Sequence, residues 1–235
     1  MDPTEGRRFA GWSRRALLLL PAAVGVSLVQ FARSRPAPAA NLVASVRDAW
    51  QYQDAALLAR AWSMPVALRM RPVFVSQRNG STCGPSTLAN VFRSFGQNSD
   101  EASVLVGTGE SGAGVCPGGL TLDELAGVAG KNPAHRVTVL RDLRFEQFRE
   151  HLRRSNDPVR RYTINFQRAP LFGEGGGHHS PIGGYLERED LVFVLDTNDR
   201  FRPFLVDARR LFDAMNTVDS SAGKKRGLLV IELGG

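Results

Sequence analysis

A cysteine at the start of a predicted amphipathic helix is the first candidate for chemistry in this sequence. After Cys83, the apolar residues Leu88, Val91, Phe92 and Phe95 recur at helical spacing, which predicts a helix that enters the core. The N-terminus of a helix favours a thiolate over a thiol, because free N–H groups and the helix dipole stabilise negative charge. The pattern therefore predicts a nucleophile. The alternative is a small apolar side chain buried in a core helix.

Residues just before Cys83 could complete a site for acyl transfer. Ser81 and Thr82 are expected to supply the N-cap oxygen of the helix. Gln77 lies six residues before Cys83, where its side-chain amide could donate to a developing oxyanion beside the backbone N–H of the cysteine. A glutamine at this spacing from a Cys-Gly pair, here Cys83-Gly84, is the layout of papain-like enzymes.

Two adjacent histidines supply a candidate base. His178 and His179 follow a run of three glycines and open a predicted strand. Asp196 ends the predicted hairpin partner of that strand, and in an antiparallel pair the start of one strand lies beside the end of the next. We therefore expect the Asp196 carboxylate to orient His178, and His178 to take the proton of Cys83. Strand alternation places His179 on the opposite face.

The cysteine count leaves a different interpretation open. The sequence contains two cysteines, Cys83 and Cys116, and in an oxidising compartment they could form one disulfide. That bond would silence the nucleophile and leave a non-enzymatic thiol or metal-binding protein of the cell envelope. Cys116 and the histidines His135, His151 and His179 show no dense metal-ligand spacing. We therefore predict no metal site in the protein.

Residues 1–40 are typical of an export signal or an N-terminal membrane anchor. Two arginine pairs precede an apolar run over residues 16–32, and Ala37-Pro38-Ala39 resembles a cleavage site. The run is slightly short for a comfortable membrane span. We expect a single catalytic domain over residues 41–235 that is exported. It would lie in the periplasm, or be anchored to the membrane and face the periplasm.

The composition is that of a globular domain with a basic surface. Of the 235 residues, 43% are hydrophobic and 23% are charged, and the formal net charge is +7. The arginines are scattered, and the sequence has no basic helix interleaved with aromatic residues and no zinc-finger pattern. We therefore do not expect a nucleic-acid partner, whereas a basic surface could attract an anionic small molecule.

The order of the predicted elements favours an α+β fold. Helices are predicted at residues 41–60, 83–95, 100–106, 121–129, 145–154 and 208–215. Extended segments are predicted at residues 72–75, 136–140, 161–166, 179–186, 190–196, 204–206 and 228–233. The glycine-rich residues 107–119 are interpreted as a mobile surface loop. Because helices come first and strands mostly follow, we expect a helical half and an antiparallel sheet half.

The sequence resembles the phytochelatin synthases, papain-fold enzymes that act on glutathione. The resemblance covers roughly residues 70–233 and rests first on Gln77-x5-Cys83-Gly84. Its most specific part is the string Gly-His-His-Ser-Pro-Ile-Gly-Gly-Tyr that begins at Gly177. Leu195-Asp196 and the segments at residues 211–219 and 223–227 add to it. The resemblance implies a papain-like cysteine protease fold.

The resemblance also implies a reaction and the residues that perform it. The thiolate of Cys83 would cleave glycine from glutathione and keep γ-glutamylcysteine as a thioester. A second glutathione or water would then resolve this thioester. His178, Asp196 and Gln77 take the family's catalytic and oxyanion-hole positions. The family's substrate-binding arginine falls on Arg200, with one residue inserted before it; Gly84 and Gly177 are further expected substrate contacts.

No resident cofactor is expected. A divalent heavy metal such as cadmium or zinc would enter as a thiolate complex of the substrate, so glutathione and its metal thiolates are the expected partners. A homodimer is the oligomeric state that we consider. The family's short bacterial members resemble this chain more, and they lean toward hydrolysis. The alternative function is that of a papain-like peptidase acting on exported peptides.

Overall fold

A six-stranded antiparallel sheet organises the part of the chain that the structure, a computed structural model, describes, which is residues 44–107 and 119–234. The strands are β1 (His135–Leu140), β2 (Arg160–Gln167), β3 (Gly177–Leu186), β4 (Leu191–Val194), β5 (Phe204–Asp207), β6 (Val218–Asp219), β7 (Lys224–Lys225) and β8 (Leu228–Leu233). The sheet has the order β1-β8-β2-β3-β4-β5, and β6 and β7 form a separate two-stranded ribbon. The predicted strands from residue 136 onward are confirmed, although β4 ends two residues before Asp196.

Helices cover both faces of the sheet. They are α1 (Ala55–Trp62), α2 (Pro65–Met70), α3 (Cys83–Ser94), α4 (Leu122–Gly130), α5 (Phe145–Arg154), α6 (Ala169–Phe172) and α7 (Ala208–Met215). The helix predicted at residues 121–129 is confirmed as α4, and it begins with a capping box in which Thr121 and Glu124 each accept a backbone N–H of the other. None of the helices in the described residues is long and apolar enough to span a membrane.

Two predictions for the N-terminal third were wrong. The predicted helix at residues 41–60 is a short 3₁₀ turn at Val46–Asp48 followed by α1. The predicted helix is interrupted because Asp54 is the N-cap of α1: its side chain accepts the N–H of Leu57, so a new helix starts there. The extended segment at residues 72–75 begins instead as a 3₁₀ turn at Arg71–Val73.

The alternation of side chains along the strands divides the core into two layers. In β8, Leu228 and Val230 belong to the layer that includes α5 and α7, whereas Leu229 and Ile231 belong to the layer that includes α1 to α4. Nearly all of these residues are fully buried. The α+β prediction is confirmed, with the helices that precede the sheet packed on one of its faces. The predicted leader, most of the glycine-rich loop and Cys116 lie outside the described residues.

Candidate active site

Cys83 is the first residue of α3 and is a free, buried thiol. The helix ends at Ser94, one residue before the predicted end, and Gly96 follows in the left-handed region at φ +85°. The predicted capping by Ser81 or Thr82 was wrong, because the helix has no side-chain cap. The Thr82 hydroxyl instead donates to the carbonyl of Asn79 at 3.2 Å. The positive end of α3 is therefore free of a capping oxygen beside the sulfur.

His178 and Asp196 lie together because β3 and β4 are paired. Leu195 N donates to the carbonyl of Pro181 at 2.9 Å, which continues the pairing past the end of β4. This brings Asp196 Oδ1 to 3.0 Å from His178 Nε2. The Nε2–H direction is off the line to the carboxylate, so the contact is a close charge contact more than a straight hydrogen bond.

The Cys83 thiol is the second partner of His178. Burial by itself raises the pKa of the thiol, but the charge and hydrogen bond of His178 hold the pKa of Cys83 below its usual value. Burial likewise lowers the pKa of His178, but the charges of Asp196 and Cys83 outweigh it and raise that pKa. Since Nε2 faces the carboxylate, Nδ1 is the nitrogen left for the sulfur. The geometry therefore supports a thiolate–imidazolium pair.

Arg168 is a member of the site that the sequence did not reveal. Its Nη2 lies 2.6 Å and 2.8 Å from the two carboxylate oxygens of Asp196. The guanidinium also stacks on the Phe201 ring at 4.0 Å, and the residue is buried. Asn198 N donates to the same carboxylate at 2.8 Å. Arg168 directly follows β2, a position for which no motif or spacing signal exists in the sequence.

Gln77 is clamped to the chain segment that holds Asp196. Its backbone N–H donates to the Thr197 carbonyl at 2.7 Å, and the Thr197 hydroxyl donates to Gln77 Oε1 at 2.9 Å. Gln77 Nε2 donates one hydrogen to Asn79 O at 2.6 Å. The amide orientation is fixed by these contacts, and its second N–H is left for another acceptor.

A cavity of about 400 Å³ opens beside Cys83. Its wall includes Asn165, Gln167, Asp219 and Arg226. The Arg226 guanidinium is buried, with Nη1 3.0 Å from Asp219 Oδ2 and Nη2 3.2 Å from Gln167 Oε1. Its Nε has no hydrogen-bond partner within the described part of the chain. The cavity wall thus contains a cationic and an anionic group, which form an ion pair, together with Cys83.

The three predicted substrate contacts, Gly177, Gly84 and Arg200, lie at different places relative to the cavity. Gly177 packs against Arg226, because a Cβ at this position would lie 2.7 Å from Nη2. Gly84 faces the core, where a Cβ would lie 3.2 Å from the Leu125 side chain. Arg200 is absent from the cavity wall; its side chain is 66% exposed and pairs with Glu174 at 2.6 Å.

His179 has a structural environment distinct from that of His178. Its Nε2 lies 2.8 Å from the Leu120 carbonyl and 2.9 Å from the Asn165 amide. Burial lowers its pKa to about 4, so the ring is neutral near pH 7. Across residues 44–107 and 119–234, no group of three His, Cys, Asp or Glu side chains is placed to hold a metal ion.

The arrangement of the thiol, the imidazole and the carboxylate defines the class of protein. A thiol at the start of a helix, an imidazole on a sheet strand and a carboxylate just after the next strand are the layout of the papain-like cysteine peptidase fold. The chain belongs to the phytochelatin synthase family, whose family model, Phytochelatin synthase, matches residues 52–228.

Curated relatives share part of their length with this chain. Glutathione gamma-glutamylcysteinyltransferase 3 of Lotus japonicus is 35% identical over 117 residues, which cover 48% of this chain and 24% of that protein. Glutathione gamma-glutamylcysteinyltransferase of Schizosaccharomyces pombe is 29% identical over 117 residues, covering 48% and 28%. The matched segment is thus about a quarter of these relatives' length.

Solved structures of two peptidases align with part of this chain. A structure named as a putative C39-like peptidase from Bacillus anthracis aligns with a TM-score of 0.49 at 13% identity, covering 71% of this chain and 96% of that one. The peptidase domain of Streptococcus ComA aligns with a TM-score of 0.48 at 16% identity, covering 68% and 97%.

Proposed function

We propose that this protein is a cysteine-dependent γ-glutamylcysteinyl transferase or hydrolase that acts on glutathione. The observation that carries the proposal is the buried Cys83 thiol at the start of α3, whose pKa is lowered by His178, together with the 3.0 Å distance between His178 Nε2 and Asp196 Oδ1. Membership of the phytochelatin synthase family supports the substrate class. The named activity of the relatives supports the reaction.

In the first half-reaction, the Cys83 sulfur bonds to the carbonyl carbon of the cysteine residue of glutathione. The carbonyl oxygen becomes an oxyanion, for which the Cys83 backbone N–H and the free N–H of Gln77 are the candidate donors. The imidazolium of His178 protonates the amine of the departing glycine as the C–N bond breaks. The products are free glycine and a γ-glutamylcysteinyl thioester on Cys83.

In the second half-reaction, neutral His178 takes a proton from the incoming nucleophile. If the nucleophile is the amine of a second glutathione, a new peptide bond forms and the thioester breaks, so the peptide grows by one γ-glutamylcysteine. If it is water, γ-glutamylcysteine is released. Both routes return the thiolate–imidazolium pair, and Asp196 keeps the ring oriented throughout.

The cavity suits the γ-glutamyl end of the substrate. This end of glutathione has one α-carboxylate and one α-ammonium group. Arg226 offers a buried cation and Asp219 an anion in the wall of a cavity that also includes Cys83. A volume of about 400 Å³ is in the range of small-ligand pockets. The α-carboxylate of the substrate would face Arg226 and its α-ammonium group would face Asp219, which would fix the orientation of the peptide.

The finer parts of the proposal concern metal and location. Cadmium or zinc would arrive as a thiolate complex of glutathione, which makes metal detoxification the proposed role. We propose that residues 1–40 direct the protein out of the cytoplasm, on the strength of their arginine pairs and apolar run. Fractionation of the cell envelope and N-terminal sequencing of the isolated protein would test this proposal, and recovery in the cytoplasmic fraction would contradict it.

Product analysis tests the reaction itself. Purified protein is incubated with glutathione, with and without cadmium, and the products are separated by chromatography. Equal amounts of glycine and γ-glutamylcysteine indicate hydrolysis, and longer γ-glutamylcysteine oligomers indicate transfer. Cleavage of ordinary peptides without release of glycine from glutathione would contradict the proposal and favour a papain-like peptidase that acts on exported peptides.

A further inference from the structure

We infer that Arg168 is a positioning residue that holds Asp196 and balances the charge of the thiolate–imidazolium pair. Its guanidinium is the one group that contacts both oxygens of the Asp196 carboxylate within the residues described, at 2.6 Å and 2.8 Å. The inference deepens the proposed function, since it concerns the same nucleophile. It assigns a role to a residue outside the Cys-His-Asp set.

The buried charged groups of the site need a further cation to reach neutrality. With Cys83 as thiolate, His178 as imidazolium and Asp196 as carboxylate, the buried site has a net charge of −1. Cys83, His178 and Asp196 are each at most 5% exposed, so water screens this excess charge poorly. Arg168, at 7% exposure, adds the cation that makes the four groups neutral. Neutrality favours the ionised sulfur over the thiol.

Arg168 also fixes the position of the Asp196 carboxylate. Arg168 Nη2 shares Oδ1 of Asp196 with His178, whose Nε2 lies 3.0 Å from the same oxygen. The guanidinium is held in turn by the Phe201 ring at 4.0 Å and by the backbone, since Arg168 N donates to Gly176 O at 3.0 Å. Arg168 therefore fixes the carboxylate that orients the imidazole.

Other titratable groups near the site do not replace this cation. Tyr52 faces Asp196, but burial raises the pKa of its phenol, so it remains uncharged. His179 is neutral, because burial lowers its pKa to about 4. Asp219 and Arg226 share the cavity wall with Cys83, and their opposite charges form an ion pair at 3.0 Å.

The test measures the ionisation of Cys83 without any substrate. Wild type and Arg168→Met are alkylated with iodoacetamide across a pH series, and modification of the Cys83 peptide is followed by mass spectrometry. Loss of Arg168 should raise the midpoint pH of alkylation by roughly one unit. Arg161→Met is the matched control, because Arg161 is also buried but its guanidinium binds Ser94 and backbone carbonyls. Its midpoint should not move.

A double variant keeps the test decisive if Arg168→Met is unstable. Asp196→Asn with Arg168→Met removes both charges and leaves no unpaired buried ion. Its midpoint should lie roughly one unit above that of Asp196→Asn alone, because the two variants differ only in the Arg168 cation. An unchanged midpoint in Arg168→Met, or equal midpoints in Asp196→Asn and the double variant, would overturn the inference. Because glutathione is not used, a failure here is distinct from a failure of the proposed reaction.

Discussion

Gly177 and Arg226 are packed so closely that a methyl group on the glycine would lie 2.7 Å from Nη2 of the guanidinium. Gly177 begins β3 directly before His178, and Arg226 follows β7, so this contact joins the catalytic strand to the ribbon of β6 and β7. A side chain at Gly177 would therefore force the Arg226 guanidinium to shift from its present place in the cavity wall.

Gly177→Ala should weaken substrate binding by displacing Arg226. Loss of one hydrogen bond to a charged group costs about 1.5 kcal/mol, so we expect the KM for glutathione to rise about tenfold. Arg226→Met should raise KM at least as much. Steady-state kinetics of glycine release measures both effects. Gly80→Ala is the control, because a Cβ there meets no atom within 4 Å. An unchanged KM in both cavity variants would show that Arg226 does not bind substrate.

Thr197→Val should lower the rate of acylation by freeing the Gln77 amide. The variant loses the hydroxyl that donates to Gln77 Oε1 at 2.9 Å but keeps the carbonyl that accepts the Gln77 N–H. We expect the single-turnover rate of glycine release to fall about tenfold, less than the roughly hundredfold loss on removing an oxyanion donor in Gln77→Ala. Thr197→Ser retains a hydroxyl and should stay near wild type. Equal rates in Thr197→Val and Thr197→Ser would contradict this role.

The pH dependence of the reaction follows from the shifted pKa values of two groups. The pKa of Cys83 is lowered by His178 despite burial, so activity should persist to lower pH than for a free thiol. The pKa of His178 is raised by Asp196 and Cys83 despite burial, so activity should be lost only above the usual histidine range. Asp196→Asn removes a charge that raises the His178 pKa, and the alkaline limb should shift to lower pH. A limb that stays in place would refute this assignment.

The local chemistry of the site could be read from the sequence, because it depends on short-range patterns. The helix that starts at Cys83 has a clear apolar period, and the hairpin of β3 and β4 brings His178 and Asp196 together by strand pairing alone. The N-cap prediction was wrong because the Thr82 hydroxyl oxygen accepts the Asn79 N–H at 3.4 Å, and donates to the Asn79 carbonyl, instead of accepting an N–H of the helix. When two local hydrogen bonds have similar strength, the residue types alone do not indicate which of them forms.

The residues that the sequence did not reveal are those that reach the site from distant segments. Arg168 lies 28 positions from Asp196, and its role depends on where the chain turns after β2. Arg226 and Asp219 are part of a string that indicated the family, but their position in the cavity wall depends on the β6–β7 ribbon. Arg200, which was expected at the substrate, is exposed and pairs with half-buried Glu174, so its role in substrate binding stays a prediction. In a sequence with many arginines, the residue type alone does not predict which of them are buried at the site.

The central claim is that Cys83 forms a γ-glutamylcysteinyl thioester from glutathione. Intact-mass spectrometry after rapid acid quenching, together with the amount of glycine released, measures this directly. The wild-type protein should gain the mass of one γ-glutamylcysteinyl group at Cys83 and release glycine in equal amount. Cys83→Ser should show neither. Absence of the adduct in wild type, together with undiminished glycine release by Cys83→Ser, would contradict the account.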